Sequence, residues 1–307
     1  MKIGLVGAGR FGKNHVRTLH EMGVLAGLAE LDNATREAAA DQTGVRAVTD
    51  FRELIAEMDA FVVATPVQTH YAIARDILLA GKPVMVEKPI TLSVSEAAEL
   101  VELARGKGLP LMVGHLLIFQ PAIRWIKEAV ESGLIGEVVS VHQERLNLGK
   151  ARANENALWS LGVHDVAVLL YLFGSNPTRV SFVGQSFLTD GVEDDTYLHL
   201  EFEGGKRGHI HSSWLWPETR RVLHIVGSEG MLVFNEATRQ VIHHKKSIDS
   251  GLNNVDLGSE VVFEGDSQPL KLELEHFVEC VRTGNEPITS GASAVEVLRV
   301  LEAARAS

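Results

Sequence analysis

The sequence predicts an α/β protein with an N-terminal domain on a parallel sheet and a C-terminal α+β domain on an open, mostly antiparallel sheet. Up to about residue 114, short apolar runs alternate with amphipathic helix-like stretches, as in a parallel sheet with right-handed crossovers. Beyond Pro121, strand-like runs follow one another closely and are separated by turns such as EGGK and GSEG, which favours antiparallel pairing. The predicted domains are therefore residues 1–119 and 120–307.

Six strand-like runs build the predicted first sheet. In chain order they are KIGLVG, VLAGLAE, VRAVTD, DAFVVATP, KPVMVEKP and LPLMVG. The second domain is expected to begin with a helix at about Ala122–Ser132. Its predicted strands lie near Val138–Arg145, Arg179–Gln185, Thr196–Phe202, Lys206–Trp214, Arg221–Gly227 and Met231–Phe234.

Three further helices are predicted in the second domain. They lie at about Val163–Phe173, Leu270–Thr283 and Ala292–Ala304, and we expect them to cover one face of the second sheet. The other face would then be free to meet a second subunit. Residues 243–258 are polar and contain glycine, so a loop is predicted there.

A glycine pattern follows the first strand and opens a helix-like stretch. Gly7 permits a tight turn, Gly9 allows backbone N–H groups to approach a pyrophosphate, and Gly12 allows the helix to pack on the strand. This is the fingerprint of a Rossmann dinucleotide-binding domain, and its helix N-terminus favours phosphate. Glu30, at the end of the second strand, is placed for a ribose 2′-hydroxyl, which favours NAD over NADP. Because Arg36 lies nearby, NADP stays open as the alternative cofactor.

Composition excludes several other classes of protein. The chain has 29 basic and 40 acidic residues and a net charge of −11, which opposes non-specific nucleic-acid binding. It contains no apolar run of the roughly 18 residues that a membrane span requires, and Met1 leads straight into a strand, so we expect a cytoplasmic protein. Cys280 is the single cysteine, so neither an internal disulfide nor a thiolate metal site is expected, and no metal is predicted.

Lys88 stands at the end of the fifth strand, within Glu87-Lys88-Pro89. Ligands of parallel sheets bind at this carboxyl edge, and Pro89 restrains the backbone of Lys88 to an extended conformation. A lysine near a nicotinamide can stabilise a developing alkoxide. The alternative is a solvated lysine at a strand end.

Other polar residues fall at the same predicted edge. Thr65, Pro66 and His70 end the fourth strand and open the next helix, and His115 follows the sixth strand. We expect these residues to contact the cofactor, together with Glu87. A strand end and a helix start would have the same composition, so a purely structural role stays open.

His164 begins the apolar helix of the second domain, directly before Asp165. As a catalyst it would take the substrate hydroxyl proton while hydride leaves the same carbon. Asp165 is expected to cap the helix or to orient a neighbour. The alternative for His164 is a half-buried residue at a helix start. Trp159, one turn earlier, would pack on the nicotinamide or the sugar, or fill the domain junction.

The segments GAGRFG, ATPVQTH, EKP and GVHD together resemble the glucose–fructose oxidoreductase/inositol dehydrogenase family, called Gfo/Idh/MocA. The resemblance covers nearly the whole chain and implies an NAD(P)-dependent oxidoreductase that acts on sugar-ring carbons. It implies catalytic roles for Lys88 and His164, and dimers or tetramers formed through the open sheet. Arg10 and Phe11, inside the glycine turn, are expected beside the cofactor. Many members have Asp where this chain has Ser160, which places more weight on Lys88 and His164.

Within the family, GHLLIFQPAI, the segment from Glu144 to Asp165 and HIHSSWLWP resemble the sugar-nucleotide branch. Arginine forks suit diphosphate or carboxylate oxygens, and this segment concentrates such donors in an acidic protein. The expected substrate-binding donors are Arg145, Asn147, Lys150, Arg152 and Asn156. An exposed loop that binds nothing is the alternative.

The resemblance implies NAD-dependent oxidation of the C3 hydroxyl of a UDP-N-acetylglucosamine-type sugar to the 3-keto sugar. Its N-acetylglucosaminuronate analogue, or a free sugar or inositol, is the alternative substrate. A regulator that binds NAD without turnover is the alternative of another class.

Overall fold

The computed structural model describes residues 1–153, 155–265 and 268–305, and these divide into two compact units. The first unit joins Met1–Leu116 to Gln268–Leu298. The second holds the described residues between those two segments, together with the end of the chain from Arg299. The first unit is therefore made from two segments that lie far apart in the sequence.

The first unit contains a six-stranded parallel sheet in the order β3-β2-β1-β4-β5-β6. The strands are β1 (Ile3–Val6), β2 (Leu25–Ala29), β3 (Arg46–Val48), β4 (Ala60–Val63), β5 (Val84–Glu87) and β6 (Leu111–Gly114). The helices between them are α1 (Gly12–Glu21), α2 (Asn33–Thr43), α3 (His70–Leu79) and α4 (Val94–Lys107). The predicted parallel sheet is confirmed.

The order of these strands places the candidate site. The chain winds in one direction from β1 to β3 and in the other from β4 to β6, so β1 and β4 flank the switch point where such sheets bind ligands. All residues of β1, β4, β5 and β6 are buried, as expected for strands covered on both faces.

The chain returns to the first unit near its end. Helix α7 (Pro269–Thr283) packs against α1, and the N–H of Val113 on β6 donates to the carbonyl of Thr289 at 2.8 Å. The structure differs here from the predicted assignment of all of 120–307 to the second domain and of both C-terminal helices to its sheet. An amphipathic pattern shows that one helix face is buried, but it does not show against which partner.

The second unit begins with α5 (Pro121–Glu131) and contains an eight-stranded sheet in the order β14-β13-β12-β11-β7-β10-β9-β8. Only the β7–β10 pair is parallel, so the predicted open, mostly antiparallel sheet is confirmed. Its strands are β7 (Val138–Leu148), β8 (Arg179–Gln185), β9 (Asp195–Glu201), β10 (Arg207–Ser213), β11 (Leu215–Gly227), β12 (Met231–Asn235), β13 (Gln240–Ile248) and β14 (Asn254–Glu264).

Two strands occupy the segment predicted as a loop. Residues 243–258 fall largely in β13 and β14, which form the antiparallel edge of the second sheet. β14 is the edge strand and β13 lies next to it, and in both strands polar residues hide the strand pattern. Val241 is fully buried, whereas most of β14 is exposed.

A helix of the second unit carries the predicted histidine. A π-helical turn, Leu158–Gly162, leads into α6 (Val163–Phe173), which packs on β7 and β10. The last helix, α8 (Gly291–Arg305), ends in this unit. None of the helices in the described ranges combines the length and the apolar composition needed to cross a bilayer.

One face of the second sheet carries a row of histidines. His199, His209, His142 and His224 occupy paired register positions on four neighbouring strands. The rings of His142 and His209 stack at 4.7 Å, and Nδ1 of His199 lies 2.7 Å from Nδ1 of His209. This face is polar and only partly covered.

Candidate active site

The glycines of the turn after β1 differ in what requires them: the protein's own structure at Gly7 and Gly12, and the space for a ligand at Gly9. Gly7 has a φ of +92°, and a Cβ on Gly12 would lie 2.2 Å from the carbonyl oxygen of Gly7. The protein itself therefore excludes a side chain at both positions. A Cβ on Gly9, in contrast, would meet no protein atom within 4 Å. The open space above Gly9 is what a closely approaching pyrophosphate requires.

A pocket of about 670 Å³ lies beside this turn. Five of the residues predicted to bind the cofactor line it: Gly7, Gly9, Glu30, Thr65 and Pro66. The volume suits a small-molecule cofactor, and the position at the ends of β1, β2 and β4 matches the expected dinucleotide site.

Other residues that line the same pocket were not predicted from the sequence. These are Leu31, Thr49, Arg52 and Ile73, among others. The side chain of Leu31 is 83% exposed. A leucine directly after the acidic residue of β2, outside any apolar pattern, was the available signal.

Glu30 is held in place by backbone donors. Its Oε2 accepts from the N–H of Ala8 at 2.7 Å, and its Oε1 accepts from the N–H of Asp32 at 3.0 Å. Arg36 donates through Nη1 to the carbonyls of Glu30 and Leu31, at 2.9 and 3.3 Å, and through Nη2 to Asn33. A carboxylate therefore stands at the pocket and the nearby guanidinium is already bound. This arrangement favours NAD over NADP.

Arg10 and Phe11 are exposed in the turn itself. The Phe11 ring is 41% exposed and meets the ring of His15 edge-on at 5.4 Å. Among the described residues Arg10 has no hydrogen-bond or ion-pair partner, so its charge is available to an anionic ligand. The glycine cradle, the pocket and this free cation together fit a dinucleotide.

Contacts of the Glu87 side chain fix the end of β5. Glu87 is buried, and its Oε1 lies 2.7 Å from Nε2 of His15 while its Oε2 accepts from the N–H of Lys88 at 3.2 Å. On β6, a Cβ at Gly114 would come within 3.1 Å of the Glu87 carboxyl group, so glycine provides the space for it. Glu87 thus supports the backbone of Lys88, and the Lys88–Pro89 peptide bond is cis.

His70 connects two strand ends. Only 1% of it is exposed, and its Nδ1 and Nε2 lie 2.9 and 2.8 Å from the carbonyl oxygens of Pro89 and Thr65. Burial lowers the pKa of His70, and hydrogen bonds to these carbonyls oppose that shift. Because both ring nitrogens face backbone carbonyls, the structure favours the structural role that the sequence left open for His70; its contact with the cofactor stays a prediction.

His115 is also enclosed. It is 3% exposed, and neither ring nitrogen has a hydrogen-bond partner among the described residues. Burial, and then the positive charge of Lys88, lower the pKa of His115 to about 3. His115 is therefore neutral at physiological pH and contributes no second positive charge beside Lys88.

In the second unit, His164 is the second residue of α6 and is half-buried. Ser160, 8% exposed, lies in the π-helical turn that precedes this helix. Asp165, next to His164, is buried and faces Arg145 on β7. Asp165 therefore anchors the start of α6 to the sheet, which fixes the backbone that carries His164.

Arg145 is not available for the predicted substrate contact. Its Nε and Nη2 donate to the carboxylate of Asp165 at 2.8 to 3.1 Å, and Nη2 also donates to Glu236 at 3.0 Å. Burial opposes its charge, but the two carboxylates outweigh that effect and raise the pKa of Arg145. A buried guanidinium already held by two acids has no open donor fork for a diphosphate.

The remaining predicted donors lie at the end of β7 and in the segment that follows it. Asn156 caps the following turn, because its Oδ1 accepts from the N–H of Trp159 at 3.0 Å and its Nδ2 donates to Glu193 at 2.8 Å. Arg152 is 43% exposed and pairs with Glu155. Lys150 is exposed and Asn147 is half-buried. Of the two arginines predicted to bind the substrate, Arg145 and Arg152, only Arg152 presents its guanidinium at the surface.

Trp159 is packed inside the second unit. It is 4% exposed, its indole N–H has no partner among the described residues, and the Arg305 guanidinium lies 4.7 Å from its ring centroid. Trp159, Asn156 and Arg305 line a groove of about 440 Å³. The structure describes no group of three or more metal-ligating side chains in residues 1–153, 155–265 and 268–305.

Comparison with known proteins agrees with these features. Residues 1–115 match the family model described as "Oxidoreductase family, NAD-binding Rossmann fold", and residues 123–233 match the GFO/IDH/MocA C-terminal domain. The chain belongs to the Gfo/Idh/MocA oxidoreductase family. Its Rossmann unit is an NAD-binding unit, and the predicted cofactor class is confirmed.

Members of the Gfo/Idh/MocA family with different substrates resemble this chain. The UDP-N-acetylglucosamine 3-dehydrogenase of Acidithiobacillus ferrooxidans is 28% identical over 97% of this chain and 94% of its own length. A crystal structure of that enzyme superposes with a TM-score of 0.90 at 25% identity, covering 100% of this chain and 97% of that one. Inositol 2-dehydrogenase 2 of Saccharopolyspora erythraea is 32% identical, over 67% of this chain and 64% of its own.

Proposed function

We propose that this oxidoreductase uses NAD to oxidise the C3 hydroxyl of a UDP-N-acetylglucosamine-type sugar nucleotide to the 3-keto sugar. The observation that carries the proposal is the similarity to the Acidithiobacillus ferrooxidans UDP-N-acetylglucosamine 3-dehydrogenase over nearly the full length of both chains. The NAD pocket of the first unit supports the redox class. The identity of the sugar is the part that experiment has to decide.

Bound NAD supplies the hydride acceptor, at its nicotinamide ring. Lys88 follows β5 at the carboxyl edge of the parallel sheet, where its ammonium group stabilises the alkoxide that develops as the substrate hydroxyl loses its proton. His164 accepts that proton as the general base. Glu87 and Asp165, one beside each of these residues, hold the two backbones in place.

The proposed diphosphate contact rests on fewer residues than the sequence predicted. Arg145 is removed from it by its buried ion pairs. Arg152 and Lys150, both exposed after β7, are the cations that we assign to the diphosphate. Arg152 would exchange its exposed partner Glu155 for phosphate oxygens, an exchange that costs little because exposed ion pairs are weak.

A free polyol is the second candidate substrate, because an inositol 2-dehydrogenase also matches two thirds of this chain. Such a substrate has no phosphate and would not use Arg152.

Self-association through the open second sheet stays a prediction of the family resemblance.

The decisive test is NADH formation by the purified protein with UDP-N-acetylglucosamine, its uronate, free N-acetylglucosamine and myo-inositol, each with NAD. Turnover with UDP-N-acetylglucosamine, and none with the free sugars, is the expected result. Turnover with myo-inositol alone would replace the proposed substrate.

Lys88→Met is the matched test of the mechanism. We expect turnover to fall by roughly 10² to 10⁴-fold, the usual contribution of a group that stabilises or moves a proton in the transition state. NAD affinity, measured by calorimetry, should stay close to that of the wild type. Lys107→Met, at an exposed position at the end of α4, is the control. Equal loss of turnover and NAD binding in Lys88→Met would instead make Lys88 a cofactor-binding residue.

A further inference from the structure

Three ionisable side chains are buried together behind the strand end that carries Lys88. His15 on α1 and Glu273 on α7 are fully buried, and Glu87 on β5 is 9% exposed. All three belong to the first unit, where α7 packs against α1. The assigned chemistry of Lys88 and His164 does not use them. Burying a charged group costs free energy unless the charge is paired or neutralised, so the protonation state of each of the three has to be explained.

The two carboxyl groups of this cluster have very different surroundings. One oxygen of Glu87 lies 2.7 Å from Nε2 of His15, and the other accepts from the N–H of Lys88 at 3.2 Å. Neither oxygen of Glu273 has a hydrogen-bond partner among the described residues. Glu87 therefore has a neighbour within hydrogen-bond distance of each oxygen, whereas no described group would stabilise a negative charge on Glu273.

Two neighbouring carboxyl groups in a dry interior do not both ionise. Burial, and then the negative charge of Glu87, raise the pKa of Glu273 well above its ordinary value. The contacts distinguish the two groups: Glu87 has the N–H of Lys88 and Nε2 of His15 within hydrogen-bond distance, whereas neither oxygen of Glu273 has a partner among the described residues. A fully buried carboxyl group without a partner is stable only in its neutral form.

We propose that Glu273 is a neutral, protonated carboxylic acid in the folded protein, and that its neutrality allows Glu87 to remain the carboxylate that positions the backbone of Lys88. Glu273 is thus a positioning residue that acts through Glu87 and does not touch substrate or cofactor. Its effect on turnover rests on the proposed function of Lys88. Its protonation does not.

The proposal fixes a direction for the pH dependence of stability. In the unfolded chain Glu273 loses its proton near pH 4.3, whereas in the folded protein it keeps the proton to higher pH. Its neutral form therefore costs no stability below the unfolded pKa, and stability is lost as the pH rises towards the folded pKa. The ionisable group that acts on Glu273 is Glu87 from β5, and Glu87 in turn contacts His15 from α1.

The first experiment compares Glu273→Gln with the wild type, because glutamine has the shape of the neutral acid and does not ionise. Denaturant unfolding between pH 5 and pH 8 should show the unfolding constant of the wild type rising relative to that of the variant, by up to about tenfold per pH unit. Glu275→Gln, exposed on the same helix, is the control and should run parallel to the wild type. Parallel curves for Glu273→Gln would overturn the proposal.

A second, direct measurement needs neither a substrate nor a shift in stability. The infrared C=O band of a protonated carboxylic acid should be present in the wild type at neutral pH, absent in Glu273→Gln and present in Glu275→Gln. Absence of the band in the wild type would overturn the proposal. Because both measurements are made without a sugar, they stand even where the proposed substrate fails.

The link to Lys88 is tested by the pH profile of turnover on whichever substrate the protein accepts. Turnover of the wild type should fall at alkaline pH as Glu273 ionises and repels Glu87. In Glu273→Gln that alkaline fall should move to higher pH, with the KM for NAD unchanged. Identical alkaline limbs would show that Glu273 is neutral without positioning Lys88, which would overturn the second half of the proposal.

Discussion

The glycine turn of the first unit and the segment that leads from β7 to α6 in the second were both predicted to bind anionic groups of a ligand. The turn is open in the structure: nothing in the protein lies near a Cβ on Gly9, and Arg10 has no described partner. The β7–α6 segment is largely satisfied, because Arg145 and Asn156 bind acids of their own unit. A ligand site needs groups that the fold leaves unpaired.

The reason for the difference lies in sequence separation. The glycine turn is a backbone feature whose constraints come from residues a few positions away, such as Gly7 acting on Gly12. The partners of Arg145 are 20 and 91 residues distant, at Asp165 and Glu236. Spacing within a motif therefore predicts where a backbone binds, whereas it does not show whether a charged side chain is still free.

The largest effect is expected from Arg145→Met. Removal of the guanidinium leaves Asp165 and Glu236 buried without their cation, which should lower the free energy of unfolding by about 3–5 kcal/mol. Denaturant titration measures this loss. The KM for the sugar in the folded fraction should not change. A stable variant with a raised KM would instead place Arg145 in the substrate site.

The next effect separates two glycines of one turn. Gly12→Ala places a methyl group against the carbonyl of Gly7 and should cost about 1–3 kcal/mol of stability. Gly9→Ala meets no protein atom and should change stability by less than about 0.5 kcal/mol. The added methyl should nevertheless raise the dissociation constant of NAD about tenfold, or about 1.4 kcal/mol. Unchanged NAD affinity in Gly9→Ala would show that the pyrophosphate does not bind close to Gly9.

The third substitution, Arg152→Ala, is expected to change stability only slightly. Its exposed pair with Glu155 contributes less than about 1 kcal/mol to stability. The KM for a nucleotide sugar should rise roughly tenfold as a charged hydrogen bond to phosphate is lost, while the KM for a free sugar stays the same. Arg105→Ala, which removes another exposed arginine with a nearby acid, is the matched control. An unchanged KM for the nucleotide sugar would show that Arg152 belongs to an exposed loop and does not bind the substrate.

The elements were predicted well where local pattern decides them. All six strands of the first sheet and helices α5 and α6 lie within a few residues of their predicted positions, because apolar periodicity and turn residues are local signals. The edge strand β14 and its neighbour β13 were missed, since their many polar residues hide the strand pattern.

The candidate site was predicted only in part, for a related reason. Gly9, Glu30 and Thr65 line one pocket as expected. The hydrogen bonds of His70 to two carbonyls, and the buried position of Glu273, depend on contacts made only after the sheet and helices have assembled. A buried glutamate on a helix that also carries exposed glutamates has no distinguishing sequence signal.

The return of Gln268–Leu298 to the first unit has a consequence for biosynthesis. The first six strands leave the ribosome early, but α7 and its Glu273 are translated only after the second sheet is complete. During that interval the apolar surface of α1 that α7 covers is exposed, a state in which nascent chains are open to aggregation. A fragment that stops before residue 268 would lack α7, so its cofactor unit would keep that surface of α1 uncovered.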